Sequence, residues 1–143
     1  MLKLQHASLI VADMAATRSF YGGFLKMKEL KRPDIFKFDG AWFESDGTEV
    51  HMILEEHTTA PAGLRDGGEG AKTGLATHFA FEVDDVYAWE QRAKNMNIPI
   101  VGGPMLRGDG IVQMYVSDPD MYLIELFQKA GITEGALDRN PVS

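Results

Sequence analysis

The segment around His78 echoes the segment around His6, and no other property of this 143-residue chain narrows its fold as much. Gln5-His6-Ala7-Ser8-Leu9-Ile10-Val11-Ala12-Asp13 can be laid over Thr77-His78-Phe79-Ala80-Phe81-Glu82-Val83-Asp84-Asp85 at a spacing of 72 residues. His6 then coincides with His78, Val11 with Val83 and Asp13 with Asp85. Each segment reads as a strand running into a helix opened by aspartate, whose side chain satisfies free N–H groups of a first helical turn. Such a repeat predicts two similar halves packed face to face. A histidine at the same place in each half suggests one metal site shared by them.

The rest of the chain fits a repeated βαβββ plan. Residues 3–12 alternate as a strand should, and Asp13 opens a helix with apolar positions at Met14, Phe20, Tyr21, Phe24 and Leu25. Gly22-Gly23 costs that helix about 1 kcal/mol per glycine, so a short or kinked helix is expected. Strands follow at 27–31, 40–45 and 49–55, the last two joined by the hairpin signal Ser45-Asp46-Gly47-Thr48. Residues 57–75, rich in Gly, Ala, Thr and Pro, read as a mobile connection. The second half starts with a strand at 76–83 and a helix with an apolar stripe of Val86, Trp89, Ala93 and Met96. Strands near 98–102, 110–117 and 121–128 complete it, with Asp118-Pro119-Asp120 as the last turn. The expected fold class is therefore α+β: two paired βαβββ modules forming a cupped mixed sheet around a metal site. One domain spans 1–128, with modules at about 1–56 and 76–128, and 129–143 is a polar tail.

Composition removes several function classes. With 45% hydrophobic and 24% charged residues the chain can bury an ordinary core. It has no cysteine, which excludes disulfides, zinc–thiolate sites and thiol nucleophiles. A net charge of −7 argues against nucleic acid and anionic membrane surfaces as partners. The N-terminus lacks the long apolar core of a signal peptide and no stretch approaches a membrane span, so a cytoplasmic location is expected.

The echo extends to the last strand of each half, where Val50-His51-Met52-Ile53 matches Ile124-Glu125-Leu126-Phe127. Alternation in a strand places Leu4, His6, Ser8 and Ile10 on one face and Ala7, Leu9 and Val11 on the other. His78 shares its face with Ala80 and Glu82, opposite Phe79, Phe81 and Val83. The bulky face is the one for a helix to cover. The histidines therefore face the concave side, beside small residues that leave room for a ligand. Three imidazoles and a carboxylate, His6, His51, His78 and Glu125, would make a nitrogen-and-oxygen donor set suited to one divalent zinc, nickel, cobalt, iron or manganese ion. His57, outside the repeat, reads as a solvated side chain, and Glu55, Glu56 and Glu82 as exposed carboxylates. Arg18, Arg92 and Lys94 read as helix-surface charges. Arg107 is a candidate grip for an anionic substrate, and Trp42 and Tyr115 either line the cup or pack in the core.

These stretches, with Arg18-Ser19-Phe20-Tyr21, Gly40-Ala41-Trp42-Phe43 and Asp118-Pro119-Asp120-Met121-Tyr122-Leu123-Ile124-Glu125-Leu126, resemble the glyoxalase/bleomycin-resistance/dioxygenase superfamily, the vicinal oxygen chelate proteins. The resemblance runs to about residue 128. It implies paired βαβββ modules around one divalent metal, usually in a homodimer, with His6, His78 and Glu125 on the commonest ligand positions. His51 falls where glyoxalase I has a glutamate, which counts against lactoylglutathione lyase activity. Lys26 and Met121 stand where the family has glycine.

The function expected is a divalent-metal-dependent lyase or isomerase of the glyoxalase type. Its substrate is a small vicinally oxygenated molecule, and Glu125 is the catalytic group that moves a proton next to a carbonyl. Two other classes compete. An extradiol-type iron(II) dioxygenase would use His6, His78 and Glu125 as a facial triad. A resistance-type protein would sequester a ligand without catalysis.

Overall fold

The computed structural model describes residues 1–63 and 70–129. The expected tail lies outside the described residues from position 130 onward, as does the 64–69 stretch of the expected connection. The described chain forms two compact units, 1–63 with 119–122 and 70–118 with 123–129. Each carries one four-stranded mixed sheet, and together they give the expected α+β class with the βαβββ order twice. No helix among the described residues is long and apolar enough to cross a membrane.

In the first unit, β1 (His6–Val11) leads into α1 (Met14–Arg18), followed by β2 (Lys28–Leu30), β3 (Gly40–Ser45) and β4 (Thr48–Leu54). The sheet order is β1-β4-β3-β2, so the first and last strands of the module are neighbours and run parallel. Asp13 caps α1 as expected, its carboxylate accepting from the Ala16 N–H at 3.1 Å. Ala41, Phe43, Val50 and Met52 send their side chains into the core, where Phe20, Tyr21 and Phe24 meet them. Burying a large apolar side chain of this kind stabilises by about 1.5–3 kcal/mol. Asp46 and Gly47 turn the β3–β4 hairpin at φ 49° and 81°, the positive values a two-residue primed turn requires.

Residues 119–122 close this unit. The Tyr122 hydroxyl donates to the Ile10 carbonyl at 2.7 Å and accepts from the N–H groups of Ile10 and Gly63 at 3.2 and 3.1 Å. Asp120 accepts from the Ala12 N–H at 3.1 Å. The outer edge of β1 is thus satisfied by a segment more than a hundred positions away in sequence.

In the second unit, α2 (Gly70–Thr73) precedes β5 (His78–Glu82), α3 (Val86–Asn95), β6 (Ile100–Arg107), β7 (Ile111–Ser117) and β8 (Leu123–Lys129). The order β5-β8-β7-β6 repeats that of the first sheet, again with a parallel first–last pair. Asp85 caps α3 by accepting from Tyr87 and Ala88 N–H groups at 3.0 and 3.2 Å. The helix buries Val86 and Ala93 against β6, β7 and β8, and β7 is buried along its whole length. Gly74 adopts φ 79° directly against the Tyr115 hydroxyl, where no Cβ would fit.

The local differences from expectation have physical causes. The helix after Asp13 is regular only through Arg18; Ser19–Phe24 is a π-helix, with the Leu25 N–H reaching back five residues to the Phe20 carbonyl at 2.8 Å. Gly22-Gly23 weakens the regular helix, and the wider turn brings Phe20, Tyr21 and Phe24 all into the core. The α3 stripe ends early: Met96 caps the helix and is 40% exposed. A 3-10 turn, Glu55–His57, leads into the stretch read as a connection, and Gly70–Thr73 form a helical turn within it. Lys26 and Met121 take φ 58° and 69°, left-handed backbone that glycine adopts without strain and other residues do not.

Candidate metal centre

Strand register builds the same diagonal in both units. In the first, β1 and β4 pair Ser8 with His51 and His6 with Glu49, so His6 lies two residues from the neighbour of His51. In the second, β5 and β8 pair Ala80 with Glu125 and His78 with Leu123, so His78 and Glu125 stand in the same relation. The third strand adds an aromatic neighbour each time: Trp42 opposite His51 and Tyr115 opposite Glu125. Ser8 and Ala80 are exposed, as expected of small residues beside the imidazoles.

The second unit brings His78 and Glu125 into direct contact. Nδ1 of His78 lies 2.7 Å from the Ala76 carbonyl oxygen, which can only accept, so Nδ1 carries the proton. In the neutral imidazole Nε2 then presents a lone pair, and it faces Glu125 Oε2 at 3.1 Å. Two acceptor atoms so placed need a cation between them, either a proton or a metal ion. A metal with bonds of about 2.1 Å to nitrogen and oxygen holds adjacent ligand atoms roughly 3.0–3.4 Å apart, so the observed separation fits one. The Glu125 side chain is 6% exposed, and a backbone partner that fixes the imidazole's orientation is the usual support of a ligating histidine.

Arg107 completes this surrounding. It grips Asp109 with two bonds of 2.8 and 2.7 Å, and its third nitrogen reaches Gln113 at 3.1 Å and Glu125 Oε1 at 3.6 Å. The bidentate pairing raises the Arg107 pKa and lowers that of Asp109. Arg107, expected as a grip for an anionic substrate, thus has its donors engaged within its own unit. Tyr115 meets the His78 ring edge-on at 5.5 Å, and its phenol is pushed up first by burial and then by the charge of Glu125.

The first unit arranges its pair differently. His6 and His51 stack at 4.1 Å with planes 9° apart, and Trp42 stacks on His51 at 4.1 Å and 5°. Phe36 meets Trp42 at 5.5 Å, so Trp42 belongs to a row of rings on the face opposite Ala41 and Phe43. Glu49 Oε2 lies 2.6 Å from His51 Nε2, and Gln5 Oε1 lies 2.6 Å from His6 Nδ1. The Glu49 pKa is lowered chiefly by the hydrogen bond from His51, against the opposing effect of burial, with help from Gln5. Glu49 and Gln5 were not singled out from sequence; the available signal was the alternation that puts position 49 on the face of position 51. His57 sits with Asp39 and Glu56, the three donor atoms within 4.8 Å of one another and all three residues exposed.

Two βαβββ modules, each with its first and last strands paired and an imidazole on the first, define the vicinal oxygen chelate class of proteins. The sequence model of the glyoxalase/bleomycin resistance protein/dioxygenase superfamily matches residues 3–126, and this chain belongs to that superfamily. It is 32% identical over 137 residues to a lactoylglutathione lyase of Neisseria meningitidis, covering 90% of this chain and 91% of the relative. It is 28% identical to a lactoylglutathione lyase of Haemophilus influenzae, covering 94% and 98%. Among solved structures it is similar to a glyoxalase/dioxygenase from Nostoc punctiforme, with a TM-score of 0.70, 27% identity and coverage of 89% and 90%. The fold, at 21% identity, is also that of the fosfomycin resistance protein FosX from Listeria monocytogenes, with a TM-score of 0.65 over 96% and 99% of the chains.

Proposed function

We propose that this protein is a divalent-metal-dependent enzyme acting on a small molecule with oxygens on neighbouring carbons, with His6, His78 and Glu125 as metal ligands. Kinship with lactoylglutathione lyases along nine-tenths of the chain makes it a lyase or isomerase of the superfamily. The observation that carries the metal is Nε2 of His78 facing the carboxylate of Glu125 at 3.1 Å while Nδ1 is bonded to the Ala76 carbonyl. Zinc, nickel, cobalt, iron(II) and manganese all suit such donors. A bound ion would polarise a substrate carbonyl and favour loss of a neighbouring proton. Glu125, buried and held by Arg107 on one oxygen, is the group we assign to carry that proton. The carboxylate that glyoxalase I places at position 51 is a histidine here, so lactoylglutathione is expected to be a poor substrate. A homodimer and a cytoplasmic location belong to the same proposal.

The test is elemental analysis of the purified protein and of His78→Ala and Glu125→Gln, alongside turnover of lactoylglutathione and other 2-hydroxyacyl thioesters. About one ion per chain, lost in both variants together with activity, is the expected result. Absence of any bound ion after incubation with each of the five metals would remove the catalytic proposal. Iron with oxygen-dependent cleavage of a catechol would replace it with the dioxygenase alternative.

A further inference from the structure

We propose that Glu49 is a positioning residue that holds His51 in its Nε2–H tautomer against Trp42 and keeps it from coordinating the ion that His6 binds. The metal half of this statement rests on the proposal above; the tautomer half stands by itself.

The imidazoles of the first unit commit different ring nitrogens to their hydrogen bonds. His6 makes its hydrogen bond through Nδ1, to the Gln5 amide oxygen, and so leaves Nε2 for a metal. His51 is the reverse. Its Nε2 is 2.6 Å from a carboxylate oxygen, an acceptor, so Nε2 carries the proton. A carboxylate on an imidazole N–H is a strong, charge-assisted bond that fixes both tautomer and ring rotation.

Ring geometry supplies the second step. A metal binds imidazole along the nitrogen lone pair, which lies in the ring plane. His6 and His51 are face to face, nearly parallel and 4.1 Å apart at their centres, so an ion in the plane of one lies well out of the plane of the other. Both can ligate one ion only if one ring swings away. His51 is held on its other face by Trp42 and at its edge by Glu49, and its side chain is 13% exposed. His6 is exposed, and its ring hydrogen bond runs to its sequence neighbour, Gln5. The mobile ring is His6. His51 serves as a fixed plate along which the His6 ring slides, and Glu49 is what fixes it.

Two measurements test this. Long-range 1H–15N NMR of the metal-free protein at about pH 8, where imidazoles are neutral, should show His51 protonated at Nε2 and His6 at Nδ1. In Glu49→Ala the His51 signals should move to a mixture of tautomers, whereas Glu49→Gln, which keeps an acceptor, should restore the single form. A wild-type His51 protonated at Nδ1, or one indifferent to Glu49→Ala, would overturn the proposal. The second measurement is Co2+ affinity read from its visible absorption. His6→Ala should weaken binding at least 100-fold, while His51→Ala, which takes away only an outer partner of His6, should cost no more than about tenfold. Equal losses in the two variants would make His51 a ligand and overturn the proposal. If the wild type binds no Co2+, the metal-enzyme proposal fails alone, and the tautomer measurement still decides what Glu49 does.

Discussion

Nε2 of His78 and Oε2 of Glu125 stand 3.1 Å apart, with the opposite ring nitrogen of His78 committed to the Ala76 carbonyl. An ion that binds between them must displace any proton the two groups share. Titration with Zn2+ or Ni2+ in weakly buffered solution should therefore release protons as the ion binds. Glu125→Gln should abolish the release and weaken binding by roughly 100-fold or more. Calorimetry in two buffers of different ionisation enthalpy checks both.

Lys26 and Met121 each hold left-handed backbone at φ 58° and 69°. That conformation costs a residue with a Cβ about 1–2 kcal/mol, partly offset by the greater unfolded-state entropy of glycine, about 0.4–1 kcal/mol. Lys26→Gly and Met121→Gly should each stabilise the protein, by roughly 0.5–1 kcal/mol, and their effects should add because the sites are independent. Urea denaturation of the two single variants and the double variant measures this.

Gly74 poses the opposite case. Its φ of 79° and its contact with the Tyr115 hydroxyl leave no place for a methyl group. Gly74→Ala should destabilise by about 2–3 kcal/mol through backbone strain and a displaced buried ring. Because Tyr115 lies beside Glu125 in the β7–β8 register and edge-on to His78, metal affinity should fall as well. Gly74→Ala/Tyr115→Phe, which removes the opposing hydroxyl, should recover part of both losses.

The Asp120 carboxyl is raised from its ordinary 3.8, chiefly by burial, with the charges of Glu55 and Asp13 adding to it. For an acid shifted upward, the folded state favours the protonated form. The penalty is therefore absent below the unfolded value and fully present once pH exceeds the folded value. Asp120→Asn keeps the oxygen that accepts from Ala12 and removes the charge. Its melting temperature should exceed that of the wild type by roughly 2 °C at neutral pH, with the gain gone near pH 3. The reverse trend would show that the carboxylate is stabilised where it sits.

Much of this arrangement is legible in the chain because periodicity and repetition report on faces. Leu9 and Val11 are buried while Ser8 is exposed, and Asp13 and Asp85 cap their helices, each as alternation and capping rules require. The hairpin at Asp46-Gly47 follows from the conformations open to those two residues. What alternation cannot report is which groups on one face bond to each other. Nothing in the sequence singles out Glu49, yet its 2.6 Å bond to His51 decides which nitrogen His51 keeps. Arg107 reads as a candidate grip for an anionic substrate, yet Asp109, two residues on, takes up its fork. The π-helix was also hidden: Gly22-Gly23 announces a weak helix but not which way it gives, and that is settled by three aromatic rings competing for one core.

The seal that Tyr122 and Asp120 place on β1 has a consequence for how the protein is made. The first module has all its own strands once residue 54 has been synthesised, but the groups that satisfy its open edge arrive only with residues 119–122. During synthesis the first half must wait with an unpaired strand edge, the kind of surface that recruits other chains. A fragment ending before position 119 would keep that edge permanently. The two halves look like a gene doubled end to end, yet the earlier one can be finished only by the last strand connection of the later one.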